Sequence, residues 1–202
     1  KISADEVHTF LFNNALKASQ KGDFIHALSL WDEYIKMSPK DAAALSNRGN
    51  VRLALGDPEG AISDQNLAIK FLPCELDPRL NRGTAEEVLH HWDEAKQDYE
   101  WILKRDPTNS AALYNLGNVN GSAGNWRKAE EFFRKAALIA ELDFPMASSS
   151  HALTFYELGE LDQAELEFRK LIRKYPLFAD ARAGLTAILW KKGSIGEAES
   201  NW

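Results

Sequence analysis

Residues 110–143 read SAALYNLGNVNGSAGNWRKAEEFFRKAALIAELD, and this stretch decides the fold. Leu113, Leu116 and the small Gly117 lie on one helical face. Gly124 then interrupts the pattern, and Trp126, Ala129, Phe133 and Ala136 open a second run at helical spacing. The same register extends outward in both directions. Ala129 is preceded at intervals of 34 by Ala95, Ala61 and Ala27, and followed by Ala164 after 35 and Ala198 after 34. Small residues recur at Ala15, Gly49, Gly83, Gly117 and Ala152, with Thr186 as a larger sixth member. Glycines recur at Gly22, Gly56, Gly124, Gly159 and Gly193, and prolines at Pro39, Pro73, Pro107 and Pro176. Several unrelated residue types in one phase mark a repeat of helical hairpins.

Each recurring type has a physical reason. The Ala and Gly positions fall where two antiparallel helices come closest, and a larger side chain would hold them apart. The recurrent glycine ends the first helix, where left-handed backbone is cheap only without a Cβ. Bulky residues such as Leu28, Trp31 and Ile35 then follow at helical spacing. The late proline stops the second helix because it has no N–H to donate. No segment alternates with period two, so no strands are predicted. At the start, Ser3-Ala4-Asp5-Glu6 reads as a capping box for an immediate helix.

With these residues the chain resembles the tetratricopeptide repeat family, whose unit of 34 residues carries a first-helix Leu…Gly…Tyr series and then Ala, aromatic, Ala and Pro. The resemblance implies an all-α, right-handed superhelical solenoid of stacked antiparallel hairpins. The copies run 8–41, 42–75, 76–109, 110–143 and 145–178, with a partial copy at 179–202 that ends at Trp202 inside its second helix. Solenoids end in a polar capping helix, so the chain is expected to be part of a longer protein, and an N-terminal segment is expected to precede Lys1. Three departures stand out. His90 replaces the turn glycine, and His accepts left-handed backbone better than most residues. Glu141 stands where proline is expected. One extra residue precedes Asp143-Phe144-Pro145, which predicts a longer second helix or a shifted stacking angle there.

Composition narrows the function classes. The formal net charge is −6, which disfavours a nucleic-acid binder, because such proteins concentrate Lys and Arg against phosphates. The one cysteine, Cys74, precludes an internal disulfide and reads as a small semi-buried thiol. His90-His91 beside Asp93 and Glu94 read as turn residues rather than metal ligands, since adjacent histidines on a helix diverge. His151 reads as a packing or surface histidine, and Ser148-Ser149-Ser150 as helix-capping or groove-lining residues. Trp31, Trp92, Trp126 and Trp202 occupy positions that pack hairpins together. Neither a phosphate loop nor a nucleophile elbow nor a zinc-protease motif occurs, and no catalytic residue, metal or cofactor is predicted.

The resemblance places the binding surface on the first helices. The implied groove residues are Phe12, Leu16, Asn47, Asn50, Leu53, Leu80, Asn81, Thr84, Tyr114, Asn115, Asn118, Leu153, Tyr156 and Trp190. Asparagine can both donate to and accept from an extended backbone, and the apolar members would anchor a partner. Co-chaperones of the family hold the acidic tail of Hsp70 or Hsp90 in a clamp of Lys and Asn side chains with an Arg. Asn50 and Asn81 fit its asparagines, but Ser46, Ala111 and Asn115 stand where cations are needed, and Arg48 and Arg82 should point elsewhere. Binding of such tails is therefore not expected. The expected function is a scaffold or assembly factor that holds a protein segment. The alternatives are an RNA-binding helical repeat or the interaction module of an enzyme whose catalytic domain lies elsewhere. The texture is similar to tetratricopeptide proteins of cyanobacteria and chloroplasts. It sets the expectation of a role in photosynthetic complex biogenesis in the chloroplast, at the thylakoid or in the stroma, with the cytoplasm as the alternative.

Overall fold

A computed structural model describes residues 3–139 and 145–201. The chain divides into two compact units, residues 1–102 and 103–202. Unit 1 holds α1 (Ala4–Gln20), α2 (Phe24–Met37), α3 (Ala42–Ala54), α4 (Pro58–Phe71), α5 (Asp77–Val88) and α6 (Trp92–Leu103), the last running into the boundary. Unit 2 holds α7 (Ser110–Ser122), α8 (Trp126–Ile139), α9 (Pro145–Glu157), α10 (Leu161–Lys174), α11 (Ala179–Lys191) and α12 (Ile195–Ser200). No strand occurs among the described residues. Within unit 1 each helix from α1 to α5 packs on the next, and α3 also touches α1 and α5. Within unit 2 the packing runs in sequence from α7 to α12, and α9 touches α11.

Local chemistry sets the helix ends. The predicted capping box is present: Ser3 Oγ accepts from the Glu6 amide at 3.2 Å, and the Ser3 amide donates to Glu6 Oε2 at 2.7 Å. Asp41, Asp57 and Asn109 cap α3, α4 and α7 by accepting from the amides of Ala44, Gly60 and Ala112. Each first helix closes in the same way, its chain turning back so that an amide reaches the carbonyl five residues earlier. The six bonds run from Asp23 to Ala18, Asp57 to Arg52, His91 to Glu86, Asn125 to Asn120, Glu160 to Phe155 and Ser194 to Leu189, at 2.8–3.0 Å. This closure needs a left-handed residue just before the donor. Five glycines supply it with φ between 75° and 82°, and His90 supplies the sixth at φ 60°.

Helices of 12–17 residues are marginal alone in water, so the hairpins depend on packing. In the first five hairpins a buried side chain of the second helix sits on a small residue of the first. The side chains are Trp31, Gln65, Tyr99, Phe133 and Phe168, all at most 4% exposed. Their seats are Ala15, Gly49, Gly83, Gly117 and Ala152 in the repeat register. A Cβ on Gly83 would lie 2.6 Å from the Tyr99 ring, and one on Gly117 would lie 2.5 Å from Phe133. Phe168 also faces α11, where a Cβ on Gly184 would lie 2.4 Å from the ring. Tyr99 carries a polar end as well. Its hydroxyl donates to Glu87, whose carboxyl is pushed above the ordinary value of 4.5 because burial disfavours the charge more than this bond restores it.

Several sequence expectations change. Cys74 is exposed, because Pro73-Cys74 lies in the α4–α5 connection rather than under a helix. Ser148–Ser150 do not cap α9, since that helix already begins at Pro145; they lie inside it, with Ser149 buried. Trp31 is fully buried, whereas Trp92 and Trp126 are half-buried. The irregularity at Glu141 and Asp143-Phe144, and Trp202, lie outside the described residues.

Two measurements check this account. Gly117→Ala should destabilise by about 1–3 kcal/mol through overpacking, and Phe133→Leu in the same chain should recover part of that loss. Gly124→Ala has open space around it but φ +75°, so it should cost about 1–2 kcal/mol through backbone strain alone, and Phe133→Leu should not rescue it. Urea midpoints of these four variants and of Phe133→Leu alone decide; strict additivity of the Gly117 and Phe133 changes would refute the seating. The second concerns Glu87. Its raised folded value means that its contribution to stability is full below 4.5 and is lost as pH climbs through that raised value. Glu87→Gln, neutral and of like shape, should match the wild type near pH 4 and exceed it in melting temperature at pH 8. A pH-independent difference would contradict this origin.

Candidate functional site

Ser46, Asn47 and Asn50 share one face of α3, spaced by three and four residues. Asp77 and Asn81 share a face of α5 in the same way. Between them, in unit 1, lies a cleft of about 480 Å³ lined by these five residues, by Ala42, Ala43 and Pro78, and by Leu72 and Glu75 from the α4–α5 connection. Side-chain amides thus enter it from both walls. Asn81 Nδ2 donates to Ser46 Oγ at 3.2 Å. Behind the α3 wall, Gln65 Nε2 donates to the Ser46 carbonyl at 3.0 Å and to Asn50 Oδ1 at 3.2 Å. Asn50 keeps its own amide N–H groups, Asn81 keeps its carbonyl oxygen, and Asn47 spends nothing on the protein among the described residues.

Three of the predicted groove residues therefore meet: Asn47, Asn50 and Asn81. Others in unit 1 are used within the hairpins. Phe12 packs edge-on against Trp31 and Tyr34, with ring centroids 5.2 Å apart in each case. Leu16 lies against the same core. Thr84 is exposed, but its hydroxyl donates to the Leu80 carbonyl of its own helix. Leu53 and Leu80 are half-buried.

In unit 2, Asn115 and Asn118 are half-buried on α7, and Tyr114 leans on Phe133 at 5.4 Å. Leu153 and Trp190 are exposed. Tyr156 is half-buried, with Lys191 Nζ 4.1 Å from its ring centre. A cleft of about 240 Å³ in this unit is lined instead by residues that include Arg134, Ser148, His151 and Lys170; Ser148 is the one member read from the sequence as capping or groove-lining.

The arginines of unit 1 are taken up elsewhere, as expected for Arg48 and Arg82. Arg48 forms a fork on Asp64 at 2.8 and 2.6 Å and reaches Asp32 at 2.8 Å. Thirty-four residues on, Arg82 forms the same fork on Asp98 at 2.7 Å and reaches Asn66 at 2.6 Å. Hydrogen bonds to these buried aspartates raise both guanidinium values above the ordinary one. Arg52 pairs with Asp64 at 3.1 Å. Arg79 pairs with Asp98 at 3.5 Å and lies 3.9 Å over the Trp101 ring. Sequence reasoning missed Asp64 and Asp98. Their signal was an Arg and an Asp sixteen residues apart, both repeated after 34.

His90 and His91 diverge: His90 lies 5.1 Å from the Trp92 ring, while His91 Nδ1 meets Glu86 at 2.7 Å. His151 meets Glu130 at 2.9 Å. Among the described residues no group of three or more His, Cys, Asp or Glu side chains could hold a metal ion, and no helix is long and apolar enough to cross a membrane.

Comparison with known proteins agrees with this architecture. Human tetratricopeptide repeat protein 6 is 29% identical over 116 residues, 57% of this chain and 22% of that protein. The TPR repeat-containing thioredoxin TDX of Arabidopsis thaliana is 29% identical over 94 residues, 46% of this chain and 25% of that protein. The chain thus matches only about a quarter or less of the length of either relative. Among solved structures, PilW, described as a widely conserved type IV pilus biogenesis factor, superposes with TM-score 0.86 at 22% identity, over 98% of this chain and 91% of that one. A tetratricopeptide repeat protein from Parabacteroides merdae gives 0.79 at 22% identity, over 97% and 77%. At that identity the likeness is one of fold. The family model for the tetratricopeptide repeat matches residues 12–74, 80–143 and 150–202, and with most of its length so matched the chain belongs to the tetratricopeptide repeat family.

Proposed function

We propose that this chain is a non-catalytic protein-interaction module that holds an extended segment of a partner protein in the cleft between α3 and α5. One observation carries the proposal: Asn47, Asn50 and Asn81 converge on one cleft with hydrogen-bonding capacity unspent. An extended peptide offers alternating N–H and C=O groups, and a side-chain amide can serve either. A pre-set amide also loses less freedom on binding than a free one, and Gln65 holds Asn50 in this way.

The finer reading is a scaffold or assembly factor, in keeping with the biogenesis role in PilW's description. A photosynthetic setting and chloroplast residence belong to the same proposal, and they rest on the texture of the sequence alone.

The test begins with a displayed random library of twelve-residue peptides panned on the whole chain. Each peptide recovered should bind Asn47→Ala, Asn50→Ala or Asn81→Ala about 3–10-fold more weakly, the value of one ordinary hydrogen bond. The triple variant should lose more while keeping its helical circular dichroism and melting temperature. Unchanged dissociation constants in the triple variant would place binding elsewhere.

A further inference from the structure

The cleft that the proposed function uses also has a sign. Glu75 and Asp77 stand at its rim, both exposed, and neither has an ion-pair partner among the described residues. No Lys, Arg or His lines it. The four arginines of unit 1, Arg48, Arg52, Arg79 and Arg82, are all held by Asp64 or Asp98. They are therefore not available to neutralise the rim.

The charge of the chain is distributed in the same sense. Residues 1–102 carry 11 Lys and Arg against 17 Asp and Glu, while residues 103–202 carry 13 of each. The whole net charge of −6 thus belongs to the unit that holds the cleft. A concave surface lined by one sign of charge concentrates the field and draws in ligands of the opposite sign.

Resting on the peptide-binding reading above, we infer that this cleft selects a segment carrying Lys or Arg, with the cation placed at Glu75 and Asp77 and the backbone beside it held by Asn50 and Asn81. Glu75 and Asp77 both line the cleft, so a cation of a bound segment enters a space that carries both charges. The amides contribute whatever the sequence of the segment, whereas the carboxylates discriminate. A segment ending in an acidic tail meets two like charges at the cleft.

The experiment compares the peptides recovered from the displayed library. Lys and Arg should be enriched over the input, and replacing the cation by norleucine should weaken binding about tenfold, near the upper end for two exposed ion pairs. Glu75→Gln with Asp77→Asn should weaken the cationic peptide similarly and leave the norleucine peptide unchanged. Glu33→Gln with Glu59→Gln, the same charge change on exposed positions away from the cleft, should leave both unchanged. The norleucine comparison alters only the peptide, so it stands even if Asp77→Asn loosens the start of α5. Equal losses in the two protein variants would mean a diffuse field and overturn the inference. So would recovered peptides with no excess of Lys and Arg that still depend on the three asparagines, although peptide binding would then stand. Failure to recover any peptide would overturn both.

Discussion

In the first five hairpins a bulky side chain of the second helix rests on a seat of Ala or Gly in the first, and the rest of the structure depends on that contact. Ridges on two helices can mesh only if their axes approach closely, and a Cβ at the crossing sets the distance. At Gly83 and Gly117 that Cβ would sit 2.5–2.6 Å from a ring. Because the hairpin is fixed there, the connection beyond the first helix must be short and tightly turned. The left-handed residue and the carbonyl closure five residues back satisfy that demand. Spacing from seat to ring, from ring to next cap and from cap to next seat then repeats at about 34 residues. The period of the sequence is the length of chain needed to build one such contact and reach the next.

One member of the series is polar, and that exception shapes the cleft. Gln65 occupies the seat on Gly49 where the other copies place Trp, Tyr or Phe. A Phe ring there would fill the space and bond to nothing on α3. Gln65 instead reaches through to the Ser46 carbonyl and to Asn50, while its own Oε1 is buried without a hydrogen-bond partner. A buried unsatisfied oxygen costs about 1–3 kcal/mol. The second hairpin therefore gives up the hydrogen bond of one buried oxygen, and what it gains is a fixed amide on the wall of the cleft. Tyr99 in the next copy shows the same tendency in weaker form, with a hydroxyl that reaches Glu87.

The periodic part of the fold was legible because it is enforced by backbone geometry, which only a few residue types satisfy. The seats at Gly49, Gly83 and Gly117, the turn glycines, the stand-in at His90 and the box at Ser3 and Glu6 are all of this kind. What escaped depends on contacts between residues far apart in sequence. Ser148–Ser150 look like caps, but Pro145 is already suited to the first position of a helix. Cys74 looks semi-buried only if the connection folds under its neighbours. The groove was legible as a face and not as a place. Phe12 and Asn50 belong to the same predicted surface, yet a partner inside the hairpin claims Phe12, whereas Asn50 only accepts a hydrogen bond from Gln65 among the described residues.

The arginine forks show how an acidic unit keeps these two cations away from the cleft. Arg48 and Arg82 each precede a seat glycine by one residue, so on the helix they turn away from the wall that carries Asn47 and Asn50. There they meet aspartates that are at most 3% exposed, and a buried carboxylate left alone would be costly. The positive charge is thus bound to a structural task in two successive copies. Uncompensated negative charge remains on exposed positions such as Glu75 and Asp77. Core and cleft draw on different residues, so substitution at the rim can change what is bound while the seats and forks that hold the hairpins together stay intact.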